Sequence, residues 1–307
     1  MSGQPTPSYD LPVAVLTALC AAREAYRKAD YSTAEERNRE ALREAEERNH
    51  AFGKILGQRY VGLGHYRRGQ LKDSEAALWA GLELAREHGH VEQSLFLSNH
   101  LGATLRRSGR VEEALSMFEQ ALIEAERKGH RMARASLLAN LGALYYELGQ
   151  SEAAADCYAR CEDAYESLQL LHRLANARGL VGSAARRRGD NATARRKFDD
   201  ELRLGVQLNS PTRIVSALLH QAKLAATPEE GRHAEALRLF AEAADRARAI
   251  GETQRLVEVL VSYAELMRRV VRLREAHALL QEAEGVELVG DQPELSARIR
   301  DARAPLP

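Results

Sequence analysis

The sequence predicts an all-α protein, a right-handed α-solenoid of about seven helix-turn-helix repeats. Glycines recur at intervals of forty residues, and no proline occurs between Pro12 and Pro211. β-Branched residues never alternate with polar ones, so no strand pattern is present. Almost two hundred proline-free residues rich in Ala, Leu, Glu and Arg favour helix throughout.

The repeat is defined by four series of residues in one register. Two glycine series step by forty: Gly62, Gly102, Gly142, Gly182 and Gly69, Gly109, Gly149, Gly189. A small residue follows the second series by five: Ser74, Ala114, Ala154, Ala194. A bulky residue comes four later: Leu78, Phe118, Tyr158, Phe198. Four series in one register indicate stacked structural repeats rather than chance.

Repeat boundaries follow from this register. Residues 1–10 are predicted to be a flexible leader, 11–290 the solenoid, and 291–307 a capping helix and tail. The repeats are expected at about 11–50, 51–90, 91–130, 131–170, 171–210, 211–252 and 253–290. A length of 307 residues alone suggests two domains, whereas seven repeats account for it as one extended domain.

Each repeat is predicted to form two helices, an A helix followed by a B helix. In the third repeat these are expected near 92–108 and 111–128, with Gly109 as a left-handed cap between them. One departure occurs in the fifth repeat, where Glu201 takes the place of a small residue. We expect a shifted contact there, with Leu202 facing inward.

These residues resemble the tetratricopeptide repeat (TPR) family. The family pattern is matched best by Leu141, Gly142, Tyr145, Gly149, Ala154 and Tyr158. The period of forty, instead of the usual thirty-four, resembles the long-helix subclass found in spindle-orientation adaptors and bacterial peptide-sensing regulators. The resemblance implies a concave groove, lined by the A helices, that binds an extended or helical peptide.

The groove positions implied by the resemblance carry apolar, amide and basic side chains. The predicted binding residues are Arg23, Arg59, Leu63, Phe96, Asn99, Arg106, Asn140, Tyr146, Asn176, Ser183, Arg186 and Lys223. Recurrent cations suit an acidic, amphipathic peptide, and the asparagines suit its backbone. The alternative is that arginines such as Arg106, Arg107 and Arg186 only offset the dipole at the end of an A helix.

Residue patterns of catalysis or metal binding are missing from the sequence. It has no HExxH, CxxC, P-loop, GxSxG or GxGxxG motif, so we expect no enzyme, cofactor or metal site. His50, His90 and His130 recur at one repeat position; they are interpreted as turn residues a full repeat apart, and a pH-sensing or metal-binding ladder is the alternative. Cys157 and Cys161 lie four apart on one helix; they are interpreted as buried packing residues, and a metal-binding or redox pair is the alternative.

The composition restricts the class of binding partner and the cellular compartment that we expect for this protein. The 44 basic and 44 acidic residues cancel, which argues against a general nucleic-acid or anionic-membrane binder. No apolar run is long enough to insert in a membrane, the leader has no basic n-region, and three cysteines fit a reducing cytoplasm. Only six of the basic residues are lysines, typical of a GC-rich bacterial genome.

The sequence therefore predicts a non-enzymatic cytoplasmic adaptor that binds a peptide or protein segment. Two alternatives stay open: a peptide-responsive sensor that acts on a partner protein, and a self-assembling scaffold that forms homo-oligomers. The carboxylate clamp of chaperone-binding TPR domains is missing from the groove positions three before and one after the repeat glycine. Binding to chaperone tails is therefore not expected.

Overall fold

The computed structural model describes residues 10–27, 31–286 and 293–303. All regular secondary structure in these ranges is helical, in fifteen helices. The predicted leader lies outside the described residues except for Asp10, as do parts of the predicted C-terminal cap and tail. The described chain forms two compact units, with the division between Leu144 and Tyr145.

Unit 1 is a stack of helix hairpins. Its helices are α1 (Val13–Arg27), α2 (Tyr31–Glu47), α3 (Ala51–Arg67), α4 (Leu71–Glu87), α5 (Val91–Arg107), α6 (Val111–Lys128) and the larger part of α7 (Arg131–Glu147). Neighbours in sequence pack together, and the A helices α3 and α5 also contact each other. Residues of successive A helices therefore form one surface within this unit.

Unit 2 begins at the last turn of α7 and repeats the arrangement. Its further helices are α8 (Ser151–Ser167), α9 (Leu171–Arg187), α10 (Asn191–Gln207), α11 (Pro211–Ala225), α12 (His233–Ile250), α13 (Thr253–Arg269), α14 (Leu273–Gly285) and α15 (Pro293–Arg303). The A helices α9, α11 and α13 contact one another in order. Ile299 and Ala302 of α15 are buried in the apolar core of α11–α14, so the terminal helix covers the end of that core.

The turn between an A helix and a B helix follows the predicted chemistry. Helix α5 ends one residue before its predicted end, and α6 has its predicted bounds. Gly109, between them, has a φ of 77°, the left-handed region where a side chain is disfavoured. The same turn in the seventh repeat holds Val271 at a φ of 63°, so a β-branched residue takes a glycine's conformation there.

The repeat glycines of the A helices are packed against the bulky residues of the B helices. A Cβ on Gly102 would lie 2.6 Å from the Phe118 ring, and one on Gly182 would lie 2.5 Å from the Phe198 ring. Both phenylalanines are fully buried. The sixteen-residue offset between the two series therefore reflects a direct contact, in which the missing side chain lets the two helices approach.

Candidate functional site

Arg59 of α3 is held by its neighbours in unit 1. Its Nη1 donates to Gln93 Oε1 at 2.6 Å, and its guanidinium lies 4.9 Å from the centre of the Tyr60 ring and 5.2 Å from that of Phe96. Burial lowers the pKa of Arg59. The predicted binding residues Arg59 and Phe96 are thus brought together, with most of the guanidinium engaged inside the unit.

Two predicted asparagines also meet in unit 1. Asn140 Nδ2 of α7 donates to Asn99 Oδ1 of α5 at 2.9 Å, and Asn99 is buried. This bond uses one polar group of each amide. The Asn99 amino group and the Asn140 carbonyl oxygen are the groups left for other partners.

The other predicted residues of unit 1 are spread along its A helices. Arg23 is exposed on α1, Leu63 is half-buried on α3, and Arg106 is half-buried in the last turn of α5. These three residues therefore lie on three successive A helices, α1, α3 and α5.

Unit 2 contains a pocket of about 210 Å³ that brings four predicted residues together. Its lining consists of Tyr146, Tyr158, Leu180, Ser183, Arg186, His220, Lys223 and Glu258. Tyr146, Ser183, Arg186 and Lys223 are among the predicted binding residues. Asn176 lies outside this lining; its Oδ1 accepts a hydrogen bond from Arg213 at 3.0 Å.

The charges around the pocket are unevenly paired. Lys223 Nζ lies 2.8 Å from Glu258 Oε1, and Arg255 Nη1 lies 2.6 Å from Glu258 Oε2. Burial opposes ionisation of Glu258, but the two cations prevail and lower its carboxyl pKa to about 2. Arg186, by contrast, has no acidic or hydrogen-bonding partner among the described residues.

The expectation that Leu202 would face inward in place of Glu201 is wrong. Glu201 itself is buried, and its Oε2 lies 2.7 Å from His220 Nδ1. Space for the carboxylate comes from Gly179, where a Cβ would lie 2.6 Å from Glu201 Oε2. The His220 ring also stacks on Phe198, with ring centres 5.1 Å apart, so this side of the pocket is fixed by two contacts.

Several arginines at the ends of A helices have a structural role. Arg107 Nη1 donates to the Tyr66 carbonyl oxygen at 2.8 Å, and Arg187 Nη1 donates in the same way to that of Tyr146. Arg269 Nη1 reaches the Ala226 carbonyl oxygen at 3.3 Å. Each binds the end of the preceding A helix in its unit, where carbonyls lack helical partners. The alternative that these arginines only stabilise helix ends therefore applies to Arg107, Arg187 and Arg269. Arg186 makes no such contact with the described residues and borders the pocket instead.

The candidate cysteine and histidine sites do not form reactive centres. Cys157 and Cys161 are buried, and burial raises the pKa of their thiols to about 11 and about 12. They are therefore protonated at neutral pH, as the packing interpretation requires. In the histidine series, His50 Nδ1 accepts from the Gly53 amide at 3.0 Å as a helix cap, and burial lowers the pKa of His90.

The described part of the chain lacks two further kinds of site. It contains no group of three or more His, Cys, Asp or Glu side chains placed to hold a metal ion. Its helices include none that is both long and apolar enough to cross a bilayer.

Sequence reasoning did not select His220, Glu201 or Tyr158 as site residues. The signal for Glu201 was present, because two departures from the repeat coincide: a large acid at a small-residue position and a glycine at position 179. Their direct contact explains both. No comparable signal marks Tyr158, which follows the ordinary bulky-residue series.

Comparison with known proteins supports the helical-repeat assignment. The tetratricopeptide-repeat family model matches residues 92–167. No curated protein matches the sequence at a significant level.

Solved structures match nearly the whole chain at low sequence identity. A Rap protein complexed with competence and sporulation factor is 13% identical with a TM-score of 0.74, over 96% of this chain and 78% of that one. The Rap conjugation gene regulator of plasmid pLS20, with the Phr* peptide, is 15% identical with a TM-score of 0.71, over 94% and 76%. Aspartyl phosphate phosphatase F from Bacillus subtilis is 16% identical with a TM-score of 0.69, over 91% and 74%.

At these identities the likeness is one of fold. It agrees with the hairpins, left-handed turns and glycine–phenylalanine contacts of both units. Residues 92–167 match the tetratricopeptide-repeat family model, and the described chain has an all-α helical-repeat fold similar to that of the Rap proteins.

Proposed function

We propose that this protein binds a peptide, or a peptide-like segment of a partner protein, on the surface formed by its A helices. The observation that carries the proposal is the pocket of unit 2. Seven of its eight lining residues come from the A helices α7, α9, α11 and α13, and only Tyr158 comes from a B helix. A surface shared by successive A helices suits an extended ligand that contacts several repeats in turn.

Unit 1 supports the proposal with a different chemistry. The Asn99–Asn140 pair retains one donor and one acceptor, which match the carbonyl and amide groups of a peptide backbone. The Arg59–Phe96 stack adds a flat surface on which an apolar side chain can lie. Two of the structurally similar proteins are complexed with a factor or a peptide, which agrees with this use of the fold.

The proposed role is that of a non-enzymatic cytoplasmic adaptor without a cofactor. A sensor that acts on a partner protein is the second candidate, favoured by the likeness to a gene regulator bound to a peptide. One similar structure is named a phosphatase, so catalysis has a direct check. We expect no release of phosphate from an aspartyl-phosphate response regulator mixed with this protein; release above the regulator's own rate would contradict the adaptor role.

A selection experiment tests the proposal. Random twelve-residue peptides displayed on phage are selected against the immobilised full chain and against two variants. Ser183→Trp fills the pocket of unit 2, whereas Ser116→Trp places the same side chain on the exposed side of the B helix α6. We expect the wild type and Ser116→Trp to enrich a shared motif that Ser183→Trp fails to enrich.

Two results count against the proposal. The first is that the wild type enriches no motif. The second is that Ser183→Trp enriches the same motif equally well. Light scattering at two concentrations tests the scaffold alternative, because self-assembly raises the apparent mass with concentration; a constant monomer mass excludes it.

A further inference from the structure

The pocket of unit 2 contains one cation that forms no ion pair with any residue in the described ranges of the chain. Among its lining residues, Lys223 is paired with Glu258, and Arg255 occupies the second oxygen of that carboxylate. Arg186 is half-buried at the pocket and has no acidic partner in the described parts of the chain. The lining residues thus include two cations, Arg186 and Lys223, and a single carboxylate, Glu258, which is already bound to Lys223 and Arg255.

An unbalanced arginine in a partly enclosed site favours an anion. A guanidinium cannot lose its proton in proteins, so burial cannot be relieved by neutralisation. Water alone solvates it less well in a pocket than at the open surface. An incoming planar anion supplies the missing charge and accepts two parallel N–H bonds.

The remaining lining residues restrict the size and kind of anion. A pocket of about 210 Å³ is smaller than the roughly 300–1,000 Å³ of sites that hold whole small molecules. Ser183 offers a hydroxyl donor, and Tyr158 and Leu180 offer apolar walls. A carboxylate on a short carbon chain matches this combination of cation, hydroxyl and apolar wall.

The His220 side of the pocket is rigid because two contacts hold the imidazole ring. Its Nδ1 is bound to the buried Glu201, and the ring itself is stacked on Phe198. Gly179 provides the space for that carboxylate. A rigid wall keeps the pocket at a fixed size, which costs a ligand less on binding than a wall that must be ordered first.

We propose that this pocket is an anchor site for one carboxylate group of a peptide ligand, with Arg186 as the main contact. Ser183 and Lys223 complete the donors, and the carbon chain of the ligand lies against Tyr158 and Leu180. The inference rests on the proposed peptide binding and specifies its chemistry. It also differs from the chaperone-type clamp in position, because Arg186 lies four residues after the repeat glycine.

Nuclear magnetic resonance of the full chain with ¹⁵N-labelled arginine gives the test. The Nε–Hε signal of Arg186 is assigned by its loss in Arg186→Gln. The probes are three acetylated pentapeptides. Ala-Ala-Glu-Ala-Ala amide has only a side-chain carboxylate, Ala-Ala-Gln-Ala-Ala acid has only a terminal one, and Ala-Ala-Gln-Ala-Ala amide has neither. We expect a saturable shift of the Arg186 signal with a charged peptide and none with the neutral one.

Three variants sharpen the result, with binding followed by the backbone amide of Ser183. Arg186→Gln should weaken binding of the charged peptide by about tenfold or more, the loss of a charge-assisted bond. Arg188→Gln removes the same charge two residues away, outside the pocket lining, and should leave binding unchanged. Glu258→Gln frees Lys223 from its partner and should strengthen binding several-fold, an effect that misfolding cannot produce.

The outcomes separate the anchor from the wider proposal. A response to the side-chain probe or to the terminal probe supports the anchor and identifies the source of the carboxylate. No saturable response, or an equal response to the neutral peptide, overturns it. If the phage selection succeeds while Arg186 stays unresponsive, peptide binding stands and the anchor falls. If Arg186 responds while the selection yields no motif, the carboxylate site stands and the wider peptide proposal falls.

Discussion

The two units differ in how the polar side chains of their A helices are used. In unit 1 Arg59 is bound to Gln93, and Asn99 is bound to Asn140. In unit 2 Arg186 borders a pocket with no partner in the described chain. Pairing in unit 1 is incomplete, since the buried Nε of Arg59 has no hydrogen-bond partner among the described residues. The difference is that Arg59 is held by neighbouring side chains, whereas Arg186 is not. The difference teaches that the contacts of an arginine with its neighbouring side chains, more than the number of arginines, indicate where an anionic ligand can bind.

The units also differ in how they make tight turns. Among the described residues of unit 1, positive φ occurs at Asn49 and four glycines. In the described part of unit 2, Gln169, Asn209 and Val271 adopt it as well as glycines. Left-handed backbone costs a residue with a side chain more than it costs glycine. The described turns of unit 2 therefore hold more side-chain-bearing residues in this costly conformation.

The largest expected effect comes from the paired phenylalanines. Phe118→Ala in unit 1 and Phe198→Ala in unit 2 should each lower the free energy of unfolding by about 3–5 kcal/mol, because both rings are fully buried. Only Phe198 stacks on His220, so only its loss should also weaken binding of the charged pentapeptide. Urea denaturation and the peptide titration measure the two effects; equal loss of binding in both variants would remove the contrast between the units.

The next effect concerns acid stability in unit 2. The folded pKa of Glu258 is about 2, below its ordinary 4.5, so its contribution is complete above pH 4.5 and is lost as the pH falls towards 2. The contribution is on the order of 3 kcal/mol at neutral pH. Urea denaturation should show a large deficit for Glu258→Gln at pH 7 that shrinks below pH 4.5 and is mostly lost by about pH 2.5. The exposed Glu152→Gln is the control, and a deficit independent of pH would refute the assignment.

The smallest effect concerns the turns. Val271→Gly should raise the free energy of unfolding by about 0.5–1 kcal/mol by removing left-handed strain. Gly189→Val makes the reverse change two repeats earlier, where no atom lies within 4 Å of an added Cβ, and should cost about 1–2 kcal/mol. Gly109→Val should cost the same in unit 1. Thermal denaturation compares all three, and a destabilised Val271→Gly would show that Val271 is held by contacts rather than strained.

The periodic part of the structure followed from the sequence for a physical reason. Small and bulky residues recur because Gly102 and Gly182 pack against phenylalanines sixteen residues later. The spacing in the sequence therefore directly reports a packing contact in the fold. The helix-ending glycines are local signals of the same kind. Helix α6 was therefore predicted to its exact residues.

The pairing of side chains between repeats did not follow from the sequence. Arg107 and Arg187 lie five residues after the repeat glycine, and each binds a carbonyl of the preceding A helix. Arg186 lies one position earlier and borders a pocket instead. A cation at the end of an A helix is therefore not enough to predict its contact, because one step in register changes which neighbours the side chain meets. The internal use of Arg59 was missed as well.

The arginine contacts between A helices have a consequence for editing the chain. They join Arg107 to Tyr66 in unit 1, and Arg187 to Tyr146 and Arg269 to Ala226 in unit 2. Each donor lies 41 or 43 residues after its acceptor, in the next repeat of the same unit. A graft of one forty-residue repeat therefore carries the donor without its acceptor, whereas a graft that includes both A helices of a contact keeps the pair together.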